Sequence, residues 1–187
     1  TIEIGTQTWM AENLKTTKYQ NGEAIPNVTD NTEWTNLSTG AYANYNNDIN
    51  NATTYGRLYN RYAVTDSRKL CPQNWHVATD IEWKTLEMYL GMSTSEANDI
   101  GMRGSDVANV SRQVGASRAN NEGATNSSGF TALPGGYRYY NDGGFYGLVT
   151  YGYWWTASQG LCYFRSLFSV YFNKSGVNRA PIANSSG

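Results

Sequence analysis

Residues 70–91 read LCPQNWHVATDIEWKTLEMYLG, and the second half of this stretch carries the strongest helix signal in the chain. Thr79 is a good N-cap, and Glu82 three residues on completes a capping box. Trp83, Leu86 and Leu90 then share one helical face, and Gly91 is placed to end the element. Immediately downstream, Ser93 and Glu96 repeat the capping signature for a shorter helix. Upstream, in TYGRLYNRYAV, Tyr55, Leu58, Tyr59 and Tyr62 fall at i, i+3, i+4 and i+7, which predicts one further helical face.

Moving outward, the period changes. Ile2, Ile4, Trp9, Met10 and Leu14 predict a short strand, a turn at Gly5, and a second strand or helical turn. Residues 20–53 are rich in Asn, Thr, Asp and Gly, and read as a long surface excursion anchored by Trp34, Tyr42 and Tyr45. Residues 103–128 are polar and small, and read as a mobile or irregular connection. From Phe130 onward, GFTALPGGYRYY, GFYGLVTYGYWWTAS and YFRSLFSVYF are strand-like runs split by Gly-Gly and Asn-Asp-Gly turns. Helices early and strands late, with one strand at the start, favour α+β with an antiparallel sheet. No internal repeat is apparent.

The chain has 187 residues, enough for one full core, and is read as a single domain over residues 1–187. Its net charge of -1 argues against a duplex nucleic-acid surface, so no nucleic-acid partner is expected. Aromatics reach 14% against 16% charged residues, with 15 Tyr and 6 Trp, a profile unlike disorder. It suits a loop-rich, extracellular-type domain. No apolar run approaches membrane-spanning length, so no direct membrane insertion is expected. No leader-like stretch opens the sequence, which reads as a mature or excised domain.

Candidate chemistry is sparse. His76 is the one histidine, and it reads as a buried structural residue, because no G-x-S-x-G elbow accompanies it. Glu12, Asp48, Glu82 and Asp142 are scattered, and no spacing singles out a pair for glycoside hydrolysis. Cys71 and Cys162 permit a disulfide without establishing one, and no Cys/His cluster suggests zinc. YNNDINN and YNDGG offer oxygen ligands for calcium, but Asn and Asp also dominate turns, and the turn reading is preferred. No cofactor is expected beyond that calcium option. Trp9, Trp34, Trp75, Trp83, Trp154 and Trp155 are assigned to the core. Tyr137, Tyr139 and Tyr140 read as partly exposed, where Tyr makes a good ligand anchor.

GTQTWMAENLKTTKYQNGEAIPNVTDNTEW and GAYANYNND resemble the Fibrobacter succinogenes major paralogous domain. TYGRLYNRYAV, LCPQNWHVATDIEWKTLEMYLG, GATNSSGFTALPGGYR and YGYWWTAS continue the likeness in order, leaving out about residues 92–118. The resemblance implies a C-type lectin-like fold, in the branch shared with formylglycine-generating enzymes: α+β, two main helices and a twisted antiparallel sheet. The family pattern has Gly and Pro where Asn74 and Ala78 stand. Asn tolerates the left-handed backbone that Gly would supply. The family also ends in a Ser-Val-Arg-Cys-like strand that is not seen before Gly187, which leaves Cys71 without its family partner. Formylglycine chemistry would need a suitable cysteine pair, so no enzyme is expected. Nor does the Glu-Pro-Asn motif of calcium-dependent lectins appear.

The tail resembles the variable region of diversity-generating retroelement proteins. Those systems mutate template adenines, and an AAC codon cannot become Lys, Gln, Glu, Met or Trp. Between Gly160 and Gly187 only Lys174 lies outside the reachable set. The resemblance implies a variable ligand-binding region over 160–187, with Leu161, Cys162, Tyr163, Phe164, Phe168, Tyr171, Ala180, Pro181, Ile182 and Ala183 as diversified contacts. Arg165, Leu167, Ser169, Val170, Val177, Asn178 and Arg179 would be scaffold. The expected function is non-catalytic recognition of a protein or glycan on a cell or phage surface, from a domain at the cell or virion surface. The rival is an adhesin-type structural domain without diversification.

Overall fold

Two short strands open the chain, Ile2–Ile4 (β1) and Gln7–Trp9 (β2), paired antiparallel through Gly5 at φ 61°. The structure, a computed structural model, describes residues 1–104, 107, 124–159, 165–171 and 177–181, with 159, 165–171, 180 and 181 described through their backbone. The predicted excursion at 20–53 is more structured than its composition suggests. Asp30 caps a helix at Asn31–Thr35 (α1), accepting from the Glu33 amide at 2.8 Å. Tyr42–Ala43 (β3), a 3-10 turn at Tyr45–Asn47 and a helix at Ile49–Tyr55 (α2) capped by Asp48 follow. Buried Tyr19, Ile25, Val28 and Trp34 tie this segment down. Trp34, Tyr42 and Tyr45 are buried as expected of anchors, whereas polar spacing hides Tyr19, Ile25 and Val28, each of which stands alone between turn formers.

The helix predicted from Tyr55 to Tyr62 is not formed. Gly56 ends α2 at φ 80°, Leu58–Tyr59 (β4) pairs with β3, and Asn60 caps a new turn of helix at Arg61–Val64 (α3). Gly and Asn at those positions override the apolar period, since each supplies an end rather than a continuation.

The central prediction holds in detail. Asp80–Tyr89 (α4) begins at Thr79 with both halves of the capping box formed. Gly91 at φ 105° lies just beyond Leu90, the C-cap. Ser93 and Glu96 make a second capping box on Thr94–Asn98 (α5). Asn74 adopts φ 70°, the left-handed conformation anticipated for it. Thr79→Ala removes the acceptor of the Glu82 amide and should cost about 1 kcal/mol; a urea titration would read this as a lower midpoint at unchanged slope.

Gly101–Arg103 (β5), Gly135–Arg138 (β6), Phe145–Leu148 (β7), Tyr151–Gln159 (β8), Arg165–Tyr171 (β9) and Val177–Pro181 (β10) complete the described strands. Gly135-Gly136 opens β6 instead of forming the expected turn, whereas Asn141 to Gly144 does lie in the turn between β6 and β7. The main sheet runs β5-β10-β9-β8, and β1-β2, β3-β4 and β6-β7 form ribbons, all antiparallel. The fold is α+β, with five short helices among the described residues in place of two main ones.

The largest buried cluster joins β1, α4, α5 and β10 through Ile4, Trp83, Leu86, Met92, Ala97 and Val177. Burying a side chain such as Leu86 contributes roughly 2 kcal/mol. Aromatic edges knit this core, with Trp9 and Trp83 centroids 4.8 Å apart and Trp83 and Phe130 at 5.8 Å. Of the tryptophans assigned to the core, only Trp34 and Trp83 are fully buried; Trp9, Trp75, Trp154 and Trp155 are half-buried. Two charged pairs fasten the sheet to the helices. Arg179 of β10 grips Asp80 with two bonds of 2.7 and 2.6 Å, and Arg103 of β5 donates to Glu87 at 2.7 and 2.8 Å.

Candidate functional site

The main sheet is the frame that carries the tail. In register, Phe168 stands opposite Trp154 on β8 and Arg179 on β10, and Tyr171 stands opposite Tyr151. Ala180 and Pro181 pair with Leu167 and Ser166. Leu161, Cys162, Tyr163, Phe164, Ile182 and Ala183 lie outside the described residues. Of the positions expected to be scaffold, Val177 is 1% exposed within the core and Arg179 holds its ion pair with Asp80. Val177 and Arg179 thus pin β10 from one end to the middle.

Beside β9 lies a continuous face of tyrosines. Tyr137 and Tyr139 on β6 and its extension, and Tyr151 and Tyr153 on β8, each sit two residues apart, so each pair shares one side of its strand. Tyr137 meets Tyr153 at 5.1 Å and Tyr146 at 5.8 Å, Tyr139 meets Tyr140 at 4.9 Å, and Tyr151 meets Tyr153 at 6.1 Å. Tyr140 and Tyr146 are 42% and 44% exposed, and the others are half-buried. At its rim the Tyr146 hydroxyl donates to Asp142 at 2.7 Å. That bond, with the Gly144 amide, holds the Asp142 carboxyl below its usual range and pushes the Tyr146 phenol up. The partial exposure expected of Tyr137, Tyr139 and Tyr140 is met. Tyr146, Tyr151 and Tyr153 were not singled out, although the Tyr-x-Tyr spacing at 151–153 was the available signal.

A second feature borders β8 as well and shares Tyr153 with the tyrosine face. A cavity of about 650 Å³ is walled by Trp9, Trp75, Trp83, Trp154 and Trp155, with His76 and Glu82 at its edge. His76 is not buried as expected: its side chain is 66% exposed, and Nε2 lies 2.8 Å from Glu82 Oε1. Burial pushes the Glu82 carboxyl up, but bonds from the Thr79 amide, His76 and the Thr79 hydroxyl outweigh it and lower it overall. Thr131, also on the wall, has φ 56°, a strained conformation for a β-branched residue, held by two bonds to the Asn126 amide group.

Cys71 is buried and its thiol is pushed up to about 11 by burial, which leaves it a poor nucleophile. Cys162 lies outside the described residues. The stretches that offered calcium ligands are engaged in turns: Asp48 accepts from the Asn50 amide at 2.9 Å and Asp142 from the Gly144 amide at 2.8 Å. Among the described residues no group of three or more His, Cys, Asp or Glu side chains gathers to hold a metal, and no helix is long and apolar enough to cross a membrane.

A model of the family described as the Fibrobacter succinogenes major domain matches residues 2–179. No curated protein and no solved structure matches the chain.

Proposed function

The chain belongs to the Fibrobacter succinogenes major domain family, and from that premise we propose that it is a non-catalytic recognition domain of a diversity-generating retroelement type, on a C-type lectin-like fold of the formylglycine-generating-enzyme branch. It acts at the cell or virion surface and binds a protein or glycan on another cell or phage. The observation that carries this reading is the tyrosine face. Six rings in mutual contact, two of them more than 40% exposed, supply broad contact area with few rotatable bonds, the property that makes tyrosine effective in antibody paratopes. Register places Tyr171, an expected variable position, directly opposite Tyr151 at the edge of that face. A fixed aromatic floor beside a changeable strand would give every variant some adhesion and leave specificity to the tail.

Binding of the fluorescently labelled domain to intact bacterial cells and phage particles tests the reading. Tyr140→Ala with Tyr146→Ala should weaken binding at least tenfold, about 1.4 kcal/mol, while leaving the unfolding midpoint nearly unchanged, because exposed substitutions are close to neutral. Undiminished binding would remove the tyrosine face from recognition. Sequencing sister genes tests the diversification: changes confined to the positions from 161 to 183, matching AAC codons of a nearby template, support it. Drift scattered over the chain favours the adhesin-type structural domain.

A further inference from the structure

Five of the six tryptophans line a single cavity, and one of them is engaged differently from the rest. Trp9 Nε1 donates to Gln7 at 3.3 Å, Trp154 Nε1 to Asn13 at 3.0 Å and Trp155 Nε1 to the Tyr59 carbonyl at 2.9 Å. Trp83 is 5% exposed and locked between Trp9 and Phe130. Trp75 is half-buried, and its indole makes neither a hydrogen bond nor a ring contact among the described residues. Its backbone is nevertheless fixed. The Trp75 amide donates to the Pro72 carbonyl at 3.0 Å, and Asn74 supplies the left-handed turn that aims the loop. A rigid loop therefore presents an unengaged indole into a cavity, beside an exposed imidazole.

We propose that this cavity is a second, fixed binding site, separate from the tail, which takes a neutral pyranose ring with Trp75 as the stacking face and the His76–Glu82 pair as the hydrogen-bonding edge. The apolar face of a pyranose suits an aromatic wall, and its equatorial hydroxyls both donate and accept. The edge offers both roles, since the imidazole has one ring nitrogen outside the Glu82 contact and the Trp75 indole brings a donor. The volume lies within the range of about 300–1,000 Å³ common for small-ligand sites, and an aromatic lining with a few convergent polar groups is their usual composition.

Other ligand classes fit less well. Two carboxylates, Glu12 and Glu82, face the cavity and oppose an anion. Arg57 also lines it, but its guanidinium is bonded to the Lys15 carbonyl and stacked 5.1 Å over Tyr42. A cation would need an unbalanced carboxylate. Glu82 offers little, because Oε1 meets His76 and Oε2 accepts from the Thr79 amide and hydroxyl at 2.7 and 2.8 Å.

The site is tested by calorimetry and indole fluorescence of the whole domain against glucose, galactose, mannose, xylose and their β-linked disaccharides. At least one sugar should bind with a Kd of about 1 mM or tighter. Trp75→Ala should abolish binding, Trp75→Phe should retain part of it, and His76→Ala should weaken it about fivefold, the loss of a single hydrogen bond. Tyr140→Ala with Tyr146→Ala should leave it unchanged, which separates this site from the tyrosine face. If Trp75→Ala proves poorly folded by circular dichroism, the Trp75→Phe and His76→Ala variants decide. The proposal fails if none of these sugars binds, if binding survives loss of the indole and imidazole, or if the tyrosine variant removes it.

Discussion

Arg138→Ala is expected to lower stability by about 4 kcal/mol and the thermal midpoint by roughly 10 °C. The residue is 8% exposed. Its Nε donates to the Gly143 carbonyl at 2.8 Å and Nη1 to the Val28 carbonyl at 2.6 Å. Nη2 reaches the Thr29 and Asp30 carbonyls and Asn31 Oδ1 at 3.1–3.2 Å. The guanidinium also lies 4.3 Å from the Trp34 ring centroid and 4.7 Å from that of Phe145. Among the described residues no carboxylate forms an ion pair with it, so carbonyl dipoles and ring faces carry the charge. Burial accordingly lowers its pKa, against the pull of Asp30 and Glu33. Truncation would leave several buried carbonyls without donors at once and detach the β6–β7 ribbon from the segment around α1. Arg138→Lys, which keeps the charge but loses the planar fork, should cost about half as much. A midpoint shift under about 3 °C for Arg138→Ala, read by circular dichroism, would show that the hub is dispensable.

Glu87→Ala should cost 3–5 kcal/mol, roughly, by stripping Arg103 of the carboxylate that pairs with it among the described residues. Glu87 is 0% exposed and Arg103 8%, and the Nε and Nη1 groups of Arg103 find no hydrogen-bond partner among the described residues. Glu87→Gln keeps the volume and one acceptor and should cost less. The pair also gives stability a pH dependence. Burial pushes the Glu87 carboxyl from 4.5 up to about 7, outweighing the attraction of Arg103; Asp80 adds to the rise and Arg179 opposes it. The folded state therefore binds this proton more tightly than the unfolded chain. Its contribution is complete below pH 4.5 and is lost as pH climbs through about 7. Relative to Glu87→Gln, the parent protein should lose about 3 kcal/mol over that interval. Parallel pH–stability profiles for the two proteins would contradict the assignment.

The parts of the fold that could be read from the sequence are those specified locally. The capping boxes at Thr79 and Ser93 announce themselves because donor, acceptor and spacing all lie within four residues. Asn74 could be read only through the family resemblance, which has Gly at that position; Asn then tolerates the same left-handed backbone. Between Tyr55 and Tyr62 the apolar period pointed to a helix, but Gly56 and Asn60 interrupt it, and end signals prevailed over period. His76 read as structural and buried because no catalytic motif accompanies it, yet it stands exposed against Glu82, a residue contributed by the capping box itself. Arg138 gave no warning: apart from the Gly143 carbonyl and the Phe145 ring, its partners lie more than a hundred residues upstream, and they are mostly backbone carbonyls, which no sequence pattern marks. The tyrosine face was half legible. The Tyr-x-Tyr spacing assigns a side within each strand, but only tertiary packing brings β6, β7 and β8 together.

β10 lies between β9 and β5, so it is an inner rung of the sheet, and the order of synthesis acquires a consequence. As the chain leaves the ribosome, β5 emerges early, and the strand that pairs with it among the described residues, β10, follows long after. Closing so long a loop is slow, and in that interval the backbone of β5 is open to a chaperone or to a neighbouring nascent chain. Any change in the tail that delays docking of Val177 and Arg179 would therefore appear first as poor yield at high expression, before it altered the equilibrium stability of the finished domain.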